Sequence, residues 1–200
     1  MYQFPKEKSK IRSRIRRYER ELRKEKQLHG SIHDGGGKRY LLGILYMLLE
    51  DNDGALKSLG WFEKTFPDDV GEPFQYLCWT LALYRTGEKE AAEDKLIQTI
   101  LKNLYLLPRL LGIKQEILDI WHSSNWDEKE YAESAPPEIF QLWTDEEKEW
   151  AGKVYNSQKV EDIRSRYIEI YRQLKIEPVG AKRTELVMEA SRMEHLNFQR

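Results

Sequence analysis

Two stretches of this sequence repeat each other at a spacing of 37 residues, and each reads as a helix, a tight turn and a second helix. The first runs from Arg39-Tyr-Leu-Leu-Gly-Ile-Leu-Tyr46 through Ala55 to Pro67, and the second from Tyr76-Leu-Cys-Trp-Thr-Leu-Ala-Leu83 through Ala92. Ala55 and Ala92 hold the register. A unit of this length cannot bury its apolar face alone, so neighbouring units must stack into a solenoid. Chains built this way mostly hold other chains instead of catalysing, because stacking produces an extended surface.

The rest of the chain also reads as helical, and no stretch alternates convincingly as a strand. Residues 6–28 form one long helix with Ile11, Ile15, Tyr18 and Leu22 on one face. Gly30 stops it, and Gly35-Gly36-Gly37 keep the following segment out of a helix. Helices are expected over 38–49, 55–66, 74–84 and 88–105, with Asp51-Asn52-Asp53-Gly54 and Arg85-Thr86-Gly87 as turns. A further helix is expected over 107–121, and short ones after Ser124 and at Pro136-Pro137. Thr144-Asp145-Glu146-Glu147 fits a capping box, which starts a helix at Asp145. Val160, Ile163, Tyr167, Ile170, Tyr171 and Leu174 define an amphipathic helix that ends at Glu177-Pro178. Residues 181–200 are polar, with weak helical spacing at Leu186, Ala190 and Met193, and read as a mobile tail.

These elements also resemble a known family. The first unit carries Leu42-Gly43, Tyr46, Ala55 and Pro67 in the register of the tetratricopeptide repeat, and the second carries Trp79, the turn Gly87, Ala92 and Leu96. Arg39, Phe62 and Thr80 depart from that pattern, and residues 103–111 resemble the opening of a degenerate third unit. The resemblance covers about 36–105. It implies an all-α fold of antiparallel helix hairpins, with a basic amphipathic helix over 1–30 packing on repeats over 31–121. Helices over 122–180 would cap the array. It further implies a non-catalytic adaptor that holds a protein or peptide in a concave groove lined by the first helix of each unit. The positions that map to that groove are Tyr40, Leu41, Ile44, Met47, Leu48, Leu77, Cys78, Leu81, Tyr84 and Arg85. That lining is almost wholly apolar. Relatives that grip a terminal carboxylate use Lys, Asn and Arg there, and only Arg85 would serve. An exposed apolar groove is an aggregation hazard, so the stripe of the N-terminal helix is its expected occupant within the chain.

Charge is unevenly spread. Residues 1–29 hold eleven Lys or Arg against four Glu, a net of +7, and since the whole chain is −1 the remainder carries −8. Arg12, Arg16, Arg20 and Arg23 lead this basic arm, which makes nucleic acid the alternative partner. An anionic membrane fits less well, because the apolar face lacks Trp and Phe.

Other chemistry has little support in the sequence. Gly35-Gly36-Gly37-Lys38 has a flexible-turn composition and lacks both the leading Gly and the trailing Ser or Thr of a P-loop. His29, His33, His122, His195 and the lone Cys78 have no metal-ligand spacing, so no metal and no cofactor is expected. Ser31, His33 and Asp34 are neighbours in sequence, which is not the geometry of a triad. Trp61 and Trp79 are expected in the core, while Trp121, Trp126, Trp143 and Trp150 either dock the C-terminal helices or form a second contact surface. With no apolar h-region at the start and no run of about 20 apolar residues, the chain reads as soluble and cytoplasmic.

Overall fold

A computed structural model describes residues 3–195 and contains, among them, eleven α-helices, one 3-10 turn and no strand. In chain order the helices are α1 (Lys8–His29), α2 (Lys38–Leu48), α3 (Asn52–Thr65), α4 (Pro73–Arg85), α5 (Lys89–Lys102) and α6 (Leu106–Leu110). They are followed by α7 (Lys129–Glu133), α8 (Pro137–Gln141), α9 (Asp145–Tyr155), α10 (Gln158–Ile176) and α11 (Ala181–His195). The 3-10 turn is Asn125–Asp127. No helix among the described residues is long and apolar enough to cross a membrane.

The chain divides into two compact units. One comprises residues up to Ala92 together with Pro136–Trp143, and the other Glu93–Ala135 with the residues from Thr144 onward. This differs from the boundaries read off the sequence: the division falls within α5, so the second helix pair is split between the units, and α8 joins the N-terminal one.

In the first unit, α2 is ringed by α1, α3 and α4, and α3 also packs on α4. The residue spacing explains the ring. From Tyr40 to Met47 every residue but Tyr46 is buried, so α2 has apolar groups on nearly all sides and needs a neighbour on each. The closest approach is at Gly43. A Cβ placed there would lie 2.7 Å from Cδ2 and 2.8 Å from Cγ of the buried Leu59, so α2 and α3 meet through an absent side chain. The turn between them is set by Glu50 at φ 63° and by Asp51, whose carboxylate accepts the Gly54 N–H at 2.8 Å. A reciprocal Glu72–Gln75 capping box, with Pro73 in the first turn, starts α4.

Helix α1 buries Ile11, Ile15 and Leu22 and leaves Tyr18 half-buried. Its polar contacts to the residues that follow run along its length. Lys8 pairs with Glu50 at 2.8 Å, Glu19 accepts the Tyr46 hydroxyl at 2.7 Å, and Glu25 accepts the backbone N–H groups of His33 and Asp34 at 3.0 and 3.2 Å. Gly30, left-handed at φ 73°, ends the helix by donating its N–H to the Lys26 carbonyl.

In the second unit, the helix expected over 107–121 is replaced by the five-residue α6. Gly112 turns left-handed at φ 70°, and the Ile113 N–H bonds back to the Pro108 carbonyl at 2.8 Å, which closes the helix. The chain then runs without helix to Ile120, held where Leu118 N–H meets the Tyr105 hydroxyl and Trp121 N–H meets the Tyr171 carbonyl. Ile113, Ile117 and Ile120 keep helical spacing in sequence, yet Ile117 is 67% exposed and Ile120 is buried. No third hairpin forms from residues 103–111.

The polar stretch after 180 forms helix α11 from Ala181 to His195. Leu186 and Ala190 are buried against α10, Arg166 clamps Glu189 through two bonds of 2.7 Å, and Glu194 accepts from the hydroxyls of Tyr167 and Tyr171. Residues 196–200 of the expected tail lie outside the described residues. Trp121 stacks on Tyr171 with centroids 5.9 Å apart and carries the Arg183 guanidinium over its ring, so it contributes to this packing.

Gly43→Ala is expected to destabilise the protein by about 1–3 kcal/mol, since Leu59 has no room to yield. Gly60→Ala meets no atom within 4 Å and should stabilise it by about 0.5–1 kcal/mol through helix propensity. Thermal unfolding followed by circular dichroism separates the two. Deleting residues 1–29 strips one side of α2, so the truncated chain should melt earlier and bind an apolar dye that the full chain does not.

Candidate functional site

The first helices of the two sequence units do not present an open apolar groove. Tyr40, Leu41, Ile44, Met47, Leu77, Cys78 and Leu81 are all buried, five of these seven with no exposed surface. Leu48, Tyr84 and Arg85 are half-buried, and the Arg85 guanidinium donates to the Leu142 carbonyl at 2.5 Å. The physical reason is the ring around α2: positions that line a groove in a long array are interior here. Burial also pushes the Cys78 thiol far up, which leaves it protonated.

The glycine loop is occupied by its own chain. Asp34, at φ 41° and 3% exposed, accepts the Arg39 N–H at 2.8 Å, so a carboxylate already sits at the N-terminus of α2. Arg39 then bonds Asp69 Oδ2 at 2.8 Å, and the Tyr40 hydroxyl lies 2.9 Å from both Asp69 oxygens. This network ties the loop to the link between α3 and α4. Ser31 Oγ stands 3.3 Å from His33 Nε2, but the Asp34 side chain turns to Arg39 and Lys38, so no triad assembles. Among the described residues no group of His, Cys, Asp and Glu is placed to hold a metal ion.

What remains accessible lies on the other side of the hairpin. A cleft of about 550 Å³ opens between the C-terminal half of α1 and the outer face of α3, within the first unit. Leu22, Leu42, Ile32 and Trp61 give it an apolar surface, and Arg23, Lys26 and Lys57 stand at its rim. Local sequence builds each wall. Leu22 belongs to the buried stripe of α1, which places Arg23 and Lys26 beside it, one and four residues on. Lys57 and Trp61 are four apart on α3 and share one face. Gly54 allows the Tyr46 ring to lie over the first turn of α3, because a Cβ there would sit 2.5 Å from Tyr46 Cδ1.

Electrostatics concentrate positive charge at this cleft. Glu7 pairs with Lys10, Glu21 with Arg17 and Lys38, and Glu19 and Glu25 are held as described above, so every acid of the basic arm is engaged. Arg12, Arg20, Arg23 and Lys26 have no carboxylate partner among the described residues, nor does Lys57 across the cleft, and Arg16 reaches only Ser13 Oγ at 3.4 Å. Helical spacing places Arg12, Arg16, Arg20 and Arg23 on one stripe of α1, with Glu19 at its edge turned to the Tyr46 hydroxyl. Trp61 is half-exposed, braced edge-on by Phe66 at 5.7 Å, and its indole N–H has no hydrogen-bond partner among the described residues. Trp61 and Lys57 are the residues sequence reasoning missed. Trp61 reads as core because it sits in a repeat, and the signal that could have exposed it is its position two residues after the buried Leu59, turned away from Gly43.

No family model matches this sequence, and no curated protein or solved structure shows significant similarity to it.

Burial, reinforced by the hydrogen bond to Glu19, raises the Tyr46 hydroxyl well above its ordinary value, and burial with Asp69 does the same for Tyr40. An unfolded tyrosine ionises near pH ~10. Because the folded values are higher, the stabilisation is complete below that pH and is lost as pH rises beyond it. The melting temperature should therefore fall above pH ~10, and less steeply in Tyr46→Phe, which at neutral pH should cost about 0.5–1.5 kcal/mol for the lost hydrogen bond.

Proposed function

We propose that this protein is a non-catalytic scaffold of tetratricopeptide type, working in the cytoplasm, whose stacked helix hairpins hold a segment of another protein. The observation that carries this reading is the cleft between α1 and α3: a half-exposed Trp61 on an apolar surface, rimmed by cations with no internal partner. Aromatic anchors in partly desolvated pockets dominate protein recognition, and surrounding charges set orientation and rate. Helical hairpins with the tetratricopeptide register at Leu42-Gly43, Tyr46 and Ala55 supply a rigid support for it. The binding surface of this reading is the cleft between α1 and α3, since most groove positions of the first helices are buried.

A photo-crosslinking residue at position 57 tests this in a native extract. It should capture a discrete polypeptide that a control at Glu149, in α9, does not, and capture should be lost in Trp61→Ala. Equal capture at both positions would overturn the reading.

A second reading has its own observation. The stripe Arg12, Arg16, Arg20 and Arg23 is exposed and makes no ion pair with a carboxylate among the described residues, which suits contact with nucleic-acid phosphates. It predicts retention of nucleic acid that falls steeply with salt and disappears when Arg12, Arg16 and Arg20 are changed to Glu; a flat salt response would reject it.

A further inference from the structure

The chemistry of the cleft specifies its occupant more narrowly than its shape does. Three groups at the rim, Arg23, Lys26 and Lys57, are exposed and have no acceptor within the described residues. They come from two helices and face one opening, so a ligand lying in it meets positive charge from both sides. Below them the accessible apolar surface comes from Ile32 and the Trp61 ring, over a floor of the buried Leu22 and Leu42. Glu19, the one acid lining the cleft, is held by the Tyr46 hydroxyl at 2.7 Å.

We infer that the cleft takes an acidic peptide segment, with an apolar or aromatic side chain seated against Trp61 and Ile32 and flanking Asp or Glu carboxylates paired with Arg23, Lys26 and Lys57. This rests on the scaffold reading above and names the partner's chemistry. Charge complementarity selects the acids. The hydrocarbon surface selects against a bare polyanion, which gains nothing from it. A volume of about 550 Å³ holds a few side chains, not a folded element. The unpaired indole N–H of Trp61 supplies a directional donor to a carboxylate or a peptide carbonyl. Nucleic acid would need phosphates to follow the arginine stripe of α1, where Lys57 and the apolar surface play no part.

The test uses the full chain and three fluorescent probes in anisotropy titrations: a short Glu- and Asp-rich peptide with a central Leu and Phe, the same peptide with both apolar residues replaced by Ser, and a single-stranded oligonucleotide of equal charge. The first peptide should bind at low salt. The Ser version should bind at least roughly tenfold more weakly. The double variant Arg23→Glu, Lys57→Glu should weaken the first peptide by roughly tenfold or more. Both positions are exposed, so its far-UV circular dichroism and melting should match those of the parent. Equal binding of the two peptides, or undiminished binding to the double variant, overturns the inference. So does an oligonucleotide that binds more tightly than the first peptide, or self-association in sedimentation that the double variant abolishes, since a second copy would then be the occupant. Failure here with capture at position 57 intact removes only the acidic chemistry; loss of that capture removes the scaffold reading itself.

Discussion

Helix α2 has almost no face left to give to water, and the first unit is arranged around that constraint. Its residues between Tyr40 and Met47 are buried with one exception, and four helices, α1, α3, α4 and α8, pack on it. Hydrophobic burial is non-directional and asks only that apolar area leave water. Direction comes from Gly43, where α3 approaches until Leu59 occupies the volume a side chain would have filled. Once α3 takes that side and α4 another, the stripe of α1 has one exposed strip of α2 to cover. The same constraint removes the apolar lining of the first helices from any partner, and leaves the outer faces of α1 and α3 as the walls of the cleft.

Much of the helical architecture was legible in the sequence because it is written in local signals. Apolar spacing marks α1, α2, α4 and α10, the Asp51 and Gly87 turns separate neighbours, and the Thr144–Glu147 box starts α9 where the motif places it. The errors share a cause. Leu107 to Trp121 has a helical pattern of Leu and Ile, but one backbone angle at Gly112 overrides it. Residues 181–195 lack a strong pattern, yet fold because Arg166, Tyr167 and Tyr171 on α10 supply partners for Glu189 and Glu194. Periodicity cannot see partners contributed by another element.

The candidate site was less legible for the same reason. Its wall residues are separated by more than thirty positions, and neither Arg23 nor Lys57 is unusual among 33 Lys and Arg. What distinguishes them is where the acids went. Glu7, Glu19, Glu21 and Glu25 are each engaged by a lysine, an arginine, a tyrosine hydroxyl or backbone amides, so a segment that looks charged all round in sequence has an uncompensated side in three dimensions.

The cleft has its two walls on separate helices. Helix α1 packs on α2 through Ile11, Ile15 and Leu22 and through polar contacts along its length, while α3 packs on both α2 and α4. The cleft exists only while α1 is docked on the hairpin. A ligand that bridges Arg23 on α1 and Lys57 on α3 binds only the docked arrangement, and by mass action holds that helix in place. Such a ligand would strengthen the packing of the basic arm on the hairpin as well as fill the cleft.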